Sequence, residues 1–140
     1  MEMAKIGATP EGGVSRVAVS EEDRLGRDLL RSWATPLVED YHFDEVGNMF
    51  FVRHGLQPGS PMILTGSHLD TQIHGGRFDG AFGVMAGLEV LRTLAEEDVR
   101  LPYGIGLVAW TNEEEARYCP AMGSAVSVSY TPLTLPTIVS

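Results

Sequence analysis

The stretch "LTGSHLDTQIHGGRFDG", residues 64–80, decides the fold because it joins an apolar run to the start of a helical pattern. The run "MILTGS", residues 62–67, has the length of a buried strand, and helical spacing follows from Asp79 to about Glu97. A second apolar run, "YGIGLVAWT", residues 103–111, comes after the helix. A strand, a helix and a strand at this spacing predict a crossover connection between two parallel strands.

The predicted helix combines an apolar face with an unusual number of glycines. An internal glycine costs about 1 kcal/mol relative to alanine, so Gly80, Gly83 and Gly87 need a packing reason. We predict that these small residues let the helix lie close against the sheet. The apolar positions expected to face the sheet are Val84, Leu88, Leu91 and Leu94.

Another helix and two strands are predicted upstream, after an irregular glycine-rich segment at residues 5–19. Ser20 is a typical N-cap, the next three residues are acidic, and Pro36 would end the helix. Residues 41–46 alternate apolar and polar side chains as a half-buried strand does. A Gly-Asn turn signal separates them from a second predicted strand at residues 49–55.

Composition argues against several classes of protein. The chain has 140 residues, the length of one domain, and 44% of them are hydrophobic, so intrinsic disorder is not expected. A net charge of −9 predicts no binding to nucleic acid or to an anionic membrane. No apolar run approaches the roughly 20 residues of a membrane-spanning helix, and "MEMAK" does not begin a secretory signal. The single cysteine, Cys119, allows no internal disulfide, so we expect a cytoplasmic protein. Its side chain is expected to be buried.

Ionisable residues follow both predicted strands of the strand-helix-strand unit. The first strand leads into His68 and Asp70, and the second leads into the acidic run at residues 113–115. Asp79 lies at the start of the helix, on the same side. Because α/β sheets bind ligands at the carboxyl ends of their strands, we expect these groups to meet there. One imidazole and several carboxylates at one point predict a divalent-metal site.

Physical chemistry suggests a role for each of these groups. His68 would offer one neutral ring nitrogen, and Asp70 would accept the other ring N–H and so fix the tautomer. Asp79 could bridge two metal ions, since a carboxylate has two oxygens. Glu113 and Glu114 repel each other unless something positive binds them, so one could ligate a metal while the other accepts a proton from water.

Taken singly, each segment has a simpler interpretation. A His-x-Asp pair is common, Asp79 could be only a helix N-cap, and residues 113–115 could be a solvated acidic turn. Their conjunction at one sheet edge is what favours a site. His74 lies in the same loop without a paired acid, whereas His42 and His54 lie in strand patterns and are interpreted as structural or surface residues.

Longer stretches of the chain resemble a known family. "TGSHLDTQIHGGRFDGAFGVMAGLEVLRTL" and "AWTNEEEARYCPAMGS" resemble the dinuclear-metal amidohydrolases of the aminoacylase/carboxypeptidase superfamily. The branch they are similar to contains N-carbamoyl-L-amino-acid hydrolases, β-ureidopropionases and allantoate amidohydrolases, the hydantoinase/carbamoylase amidases. "MAKIGATPEGGVSR" and "FDEVGNMFFVR" resemble upstream segments of that branch, so the resemblance covers about Met3 to Ser124.

The resemblance implies a fold and a set of cofactors. The fold would be zinc-exopeptidase-like α/β, with a mixed, mostly parallel sheet flanked by helices, here truncated. Residues 1–124 would form the N-terminal part of the metal-dependent catalytic domain. The cofactors would be two divalent metal ions, Zn²⁺ or Mn²⁺, with Co²⁺ and Ni²⁺ as further candidates.

The family pattern also implies roles for five residues. His68 matches a ligand of the first metal, Asp79 the carboxylate that bridges both metals, and Glu114 a ligand of the second metal. Asp70 matches the acid that supports the site, and Glu113 matches the general base. The implied reaction is attack of metal-activated water on a ureido or amide carbonyl. The implied substrate is an N-carbamoyl-L-amino acid or a β-ureido acid, with an amino acid, ammonia and carbon dioxide as products.

Two departures from the family leave alternatives open. The family usually has glycine at the position of Glu115, and its other metal-binding histidines, a substrate-binding arginine and a dimerisation domain lie after Ser124. A homodimer is therefore implied only for a complete protein. Allantoate hydrolysis and aminoacylase or peptidase activity are alternatives within the superfamily. A further alternative is an inactive truncated remnant that binds metal weakly at most.

The final sixteen residues, 125–140, differ in kind from the rest of the chain. They contain no charged residue, and Pro132 and Pro136 interrupt any helix or strand. "SVSYTPLTLPT" resembles translated sequencing-adapter sequence, so we expect residues 125–140 to be a non-native tail. We expect the 140-residue chain alone to fold marginally and to show no useful turnover, because truncation leaves an unpaired strand edge and an uncovered apolar face.

Overall fold

The computed structural model describes the main chain of residues 2–130 and the side chains of residues 2–127. The α-helices in this range are α1 (Glu21–Ala34), α2 (Ala81–Glu96) and α3 (Met122–Tyr130). The strands are β1 (Asp40–Phe43), β2 (Met49–Arg53), β3 (Met62–His68) and β4 (Gly104–Trp110). Short 3-10 helices occupy Met3–Lys5 and Thr35–Leu37.

The four strands form one mixed sheet in the order β1-β2-β4-β3. β3 and β4, which α2 connects, are parallel, as the strand-helix-strand pattern predicted. β1 pairs with β2, and β2 with β4, in antiparallel fashion. A tight turn can join only antiparallel strands, so the predicted Gly-Asn turn dictates the β1–β2 hairpin. The predicted α/β fold with a mixed sheet and flanking helices is confirmed. In the described part of the chain the sheet is not mostly parallel, as was expected, because the β1–β2 hairpin adds two antiparallel pairings to the one parallel pairing.

Helix α1 begins and ends where local chemistry predicted. The Ser20 hydroxyl accepts a hydrogen bond from the Asp23 N–H at 3.2 Å, which satisfies one of the free donors of the first turn. Three acidic residues follow the cap, at the positive end of the helix dipole. The helix ends at Ala34, and the next turn is a 3-10 helix that contains Pro36.

The glycines of α2 explain how closely the helix approaches the sheet. A Cβ added to Gly83 would lie 2.7 Å from the Cβ of Ser67 on β3. One added to Gly87 would lie 2.7 Å from Cδ1 of Leu107 on β4. The predicted packing reason is therefore confirmed, since larger residues would push the helix away from both parallel strands.

The core lies between the sheet and the helices α1 and α2. Inward-facing residues of β2 and β4 are cross-strand partners, with Met49 opposite Ala109 and Phe51 opposite Leu107. Burial of these apolar side chains is the main driving force for the fold. The buried residues of α1 and α2 that join the same cluster are Leu30, Ala34, Ala81, Val84, Leu88 and Leu91.

Strand β3 corrects one expectation. The run was predicted to be buried, but Met62, Ile63 and Leu64 are 41–48% exposed. β3 is the last strand of the sheet, and the close contacts that Gly83 and Gly87 of α2 make with β3 lie in its second half, at residues 65–67. The unpaired strand edge that was expected is therefore present within the described part of the chain.

Other expectations were met in part. Cys119 is exposed, so its predicted burial is wrong, because it follows β4 in a surface segment without regular strand or helix structure. His42 and His54 are both exposed, as interpreted. Helix α3 crosses the predicted boundary at residue 125, whereas residues 131–140 of the predicted tail lie outside the described range. Within residues 2–130, no helix has the length and hydrophobicity to cross a membrane.

Truncation of a buried α2 residue should destabilise the chain. Leu91 is fully buried against the sheet, and Leu91→Ala is expected to lower the free energy of unfolding by about 2–5 kcal/mol. The neighbouring Val90 is 45% exposed, and Val90→Ala should change it by less than about 0.5 kcal/mol. Urea unfolding followed by circular dichroism compares the two variants, and equal effects would contradict the position of α2.

Candidate metal centre

The parallel pairing of β3 with β4 brings the two chemically active loops together. His68, the last residue of β3, lies opposite Trp110, the last residue of β4. The loop after β3 carries Asp70, and the loop after β4 carries Glu113 and Glu114. The predicted meeting of these residues at one sheet edge therefore occurs.

Three side chains form the centre of this site. His68, Asp79 and Glu114 each offer one ligand atom, and these atoms all lie within 4.8 Å of one another. Nε2 of His68 is 3.9 Å from Oε1 of Glu114, and the two side chains are only 15% and 18% exposed. Asp79 is exposed, so the group opens to solvent on its side. All three residues were predicted as metal ligands, and the structure brings them together.

The hydrogen bond to His68 fixes its tautomer in an unexpected way. Nδ1 of His68 lies 2.9 Å from the main-chain oxygen of Asp70, and 3.8 Å from the Asp70 carboxylate. The expectation that the carboxylate accepts the ring N–H is therefore wrong. A carbonyl oxygen can only accept, so in the neutral ring Nδ1 carries the proton and Nε2 carries the lone pair. This arrangement leaves Nε2 available to a metal ion beside Glu114.

The Asp70 carboxylate has a different task. It is 2% exposed, and it accepts hydrogen bonds from the main-chain N–H groups of Glu113 at 3.3 Å and Glu114 at 3.0 Å. These bonds tie the loop after β4 to the loop after β3. Asp70 thus supports the site by holding both loops, rather than by contacting the His68 ring with its side chain.

Glu114 is oriented by a residue that the sequence did not single out. Nε2 of Gln72 donates to Oε2 of Glu114 at 2.6 Å. This leaves the other carboxylate oxygen, Oε1, facing His68. Gln72 lies four residues after His68 in a loop whose shape is not evident from local sequence, and no motif pointed to it.

Glu113 faces away from this group and towards α3. Its two carboxylate oxygens accept hydrogen bonds from the main-chain N–H and the hydroxyl of Ser124, at 2.8 and 2.7 Å. The main-chain oxygen of Glu113 also accepts from the N–H of Ala121 at 2.9 Å. The predicted general base is thus next to the site in the chain but bound to Ser124, and its catalytic role stays a prediction.

The start of α2 is shaped around the His68 ring. Gly80 has φ of 63°, a conformation that favours glycine, and a Cβ at this position would lie 2.4 Å from the ring of His68. The helix begins only at Ala81 and has no side-chain cap, so the N-cap interpretation of Asp79 is wrong. Among the described residues, no group forms a hydrogen bond or an ion pair with the Asp79 carboxylate, which leaves both oxygens available.

A buried arginine supplies positive charge behind the acidic loops. Arg16 is 1% exposed, and burial lowers the pKa of its guanidinium, while Asp23 and Asp70 act in the opposite direction. Burial also raises the pKa of the Asp23 carboxyl, opposed by a hydrogen bond from the Val19 N–H and by nearby Arg27. No sequence motif pointed to Arg16, because the partners that link it to the site, Leu69 and Thr71, lie more than fifty residues away along the chain.

The donor set fits a divalent cation. A neutral imidazole and two carboxylates combine nitrogen and oxygen ligands that Zn²⁺ and Mn²⁺ accept. The two carboxylates, Asp79 and Glu114, repel each other at this separation unless a positive charge lies between them. The side chains therefore form an acidic group with one oriented lone pair, which is suited to hold a metal ion.

Substitution of Gly80 should disturb the site selectively. In Gly80→Ala, the methyl group would collide with the His68 ring, and the positive φ would cost about 1–3 kcal/mol. We expect weaker Zn²⁺ binding by at least tenfold in calorimetric titrations. Gly76→Ala is the control from the same loop, since its Cβ would meet only the Asp79 Cβ at 3.9 Å. Equal Zn²⁺ affinity in both variants would contradict the close contact between Gly80 and His68.

Comparison with known proteins places this geometry in a family. The model of peptidase family M28 matches residues 48–137. The N-carbamoyl-L-amino-acid amidohydrolase of Rhizobium meliloti is 43% identical over 122 residues, which cover 87% of this chain and 29% of that protein. The allantoate amidohydrolase of Bacillus subtilis is 34% identical, over 83% of this chain and 28% of that protein.

A solved structure agrees with these relatives. The crystal structure of a hydantoinase/carbamoylase family amidase from Burkholderia ambifaria superimposes with a TM-score of 0.88 and 50% identity, over 94% of this chain and 32% of that chain. The chain thus spans less than a third of the length of each of these three proteins. These matches confirm the resemblance to hydantoinase/carbamoylase amidases, and they show that the chain belongs to peptidase family M28.

Proposed function

We propose that residues 1–124 supply the N-terminal part of the catalytic domain of a metal-dependent amidohydrolase that acts on N-carbamoyl-L-amino acids or β-ureido acids. The observation that carries this proposal is the convergence of His68, Asp79 and Glu114 within 4.8 Å at the carboxyl end of the parallel strands. The activity named for the Rhizobium meliloti relative supports the substrate class.

The residues of the site suggest how divalent ions would be held. Nε2 of His68 and Oε1 of Glu114 lie 3.9 Å apart, and both oxygens of Asp79, which have no partner among the described residues, would be available to bridge a pair of ions. We propose Zn²⁺ or Mn²⁺, with Co²⁺ and Ni²⁺ as further candidates. When bound, such ions would polarise the substrate carbonyl and acidify a water molecule.

The proton transfers would fall to Glu113. As general base, its carboxylate would accept the proton of the attacking water and return it to the leaving nitrogen. To do so it must exchange a hydrogen bond from Ser124 for one from water. Asp70 would keep the Glu113–Glu114 main chain in place during this exchange, because its hydrogen bonds go to the N–H groups and not to the side chains.

A specific observation favours one alternative. The Bacillus subtilis relative is named for allantoate, which is also a ureido compound, so allantoate hydrolysis is the nearest alternative, ahead of aminoacylase or peptidase activity. The alternative of another class is an inactive truncated remnant with at most weak metal binding. A homodimer of the complete protein, a cytoplasmic location and a lack of nucleic-acid or membrane partners stay predictions.

Metal binding by the 140-residue chain tests the site directly. Glu114→Gln removes a charged ligand, and His68→Ala removes the oriented nitrogen, so each is expected to weaken Zn²⁺ binding at least tenfold in calorimetry. Glu115→Gln and His74→Ala are the matched controls, since both residues are exposed and lie outside the group. Loss of affinity in the controls as well, or no Zn²⁺ binding by the unmodified chain, would favour the remnant.

Turnover is tested in a hybrid protein. Residues 3–124 would replace the matching segment of the Rhizobium meliloti relative, and ammonia release would be measured with N-carbamoyl-L-amino acids and with allantoate. Glu113→Gln should lower kcat by about 10²–10⁴-fold, the contribution of general base catalysis, with unchanged metal content. Glu115→Gln in the same hybrid should retain turnover. A Glu113→Gln hybrid with undiminished kcat would rule out the proposed base.

A further inference from the structure

We propose that Arg16 is a positioning residue for the metal centre, because it fixes the main chain on both sides of Asp70. This inference rests on the proposed function in one respect, namely that the site binds a metal ion. Arg16 lies in the irregular segment before α1 and outside the His68, Asp79 and Glu114 group.

The environment of Arg16 is unusual for a charged side chain. It is 1% exposed, and its aliphatic part packs on α1, where a Cβ at Gly26 would lie 2.9 Å from Arg16 Cδ. Within the described part of the chain, no carboxylate forms an ion pair with the Arg16 guanidinium. A buried, unpaired guanidinium is unfavourable unless its N–H groups find acceptors elsewhere.

The acceptors are main-chain oxygens, and the shortest bond leads to the site. Nε of Arg16 donates to the oxygen of Leu69 at 2.7 Å, and Nη1 donates to the oxygens of Met3 and Ile6 at 3.1 Å. The main chain of Arg16 pairs with Thr71, since its N–H donates to the Thr71 hydroxyl at 2.8 Å and its oxygen accepts from the Thr71 N–H at 2.8 Å. Three hydrogen bonds of Arg16 therefore hold the main chain on both sides of Asp70, one at Leu69 and two at Thr71.

Asp70 transmits this restraint to the metal-binding group. Its main-chain oxygen accepts from Nδ1 of His68, and its carboxylate accepts from the N–H groups of Glu113 and Glu114. A shift of the main chain around Asp70 would release the His68 ring and the loop that carries Glu114. Arg16 therefore acts on the site without touching the proposed metal or substrate.

The chain contains a matched control for a buried arginine. Arg53 is 9% exposed, and it donates to the main-chain oxygens of Leu37, Leu94 and Val99 at 3.2–3.4 Å. It lies opposite Ile105, near the start of β4 and thus at the other end of the sheet from His68. Substitution of Arg53 is therefore expected to disturb the fold while leaving the loops of the site in place.

The test measures the His68 tautomer in the metal-free 140-residue chain by ¹⁵N NMR of labelled histidines. The unmodified chain should show the Nδ1–H form of His68. Arg16→Met should shift His68 towards a mixture of both tautomers, whereas Arg53→Met should leave it unchanged at a temperature where both variants are folded. Equal shifts in both variants, or no shift in Arg16→Met, would overturn the positioning role.

A second variant keeps the test decisive if Arg16→Met does not fold. Thr71→Val removes the hydroxyl that accepts from the Arg16 N–H and leaves the guanidinium intact, so it should shift the tautomer in the same direction. A folded Thr71→Val chain with an unchanged tautomer would then overturn the proposal.

Zn²⁺ titration of the same variants separates this inference from the proposed function. Arg16→Met, or Thr71→Val in its place, should weaken Zn²⁺ binding about 10–100-fold, as the loss of groups that orient ligands does, and Arg53→Met should not. If the unmodified chain binds no Zn²⁺ but the tautomer shift follows Arg16, the proposed metal site fails and the positioning role stands. If Zn²⁺ binds equally well to all variants, the positioning role fails and the metal site stands.

Discussion

The buried carboxylate of Asp70 is the constraint on which the rest of the site depends. It joins two loops that leave the sheet from neighbouring parallel strands, through hydrogen bonds to the N–H groups of Glu113 and Glu114. The main-chain oxygen of the same residue orients His68. Because one residue sets both sides of the group, the imidazole nitrogen and the Glu114 carboxylate meet at a defined separation.

The electrostatic balance of the site follows from this arrangement. Acidic side chains outnumber basic ones at the sheet edge. The N–H groups of the buried Arg16 donate to main-chain oxygens rather than to the carboxylates of the site. Within the described part of the chain, Arg16 therefore forms no ion pair with Asp79 or Glu114. A divalent ion would relieve their mutual repulsion, which explains why a fold would keep these groups so close.

Two parts of the molecule show how the site is connected to its surroundings. Ser124, in the first turn of α3, holds Glu113 through both of its carboxylate oxygens, so the position of the proposed base depends on that helix. At the other end of the two parallel strands, away from the site, the side chains of Met62, Ile63 and Leu64 in the first half of β3 are exposed.

The sequence by itself determined most of the elements and the residues that stand at their ends, although it did not predict α3. Helix caps, turn residues and hydrophobic periodicity act within a few residues, so α1, the β1–β2 hairpin and the β3–α2–β4 unit could be predicted, as could the meeting of His68, Asp79 and Glu114. Only the tertiary structure decided the partners of each polar group. Arg16 with Leu69 and Glu113 with Ser124 are contacts across the folded chain, set by packing rather than by neighbouring residues. For the same reason, the half-exposed face of β3 follows from its place at the edge of the sheet, which no local pattern encodes.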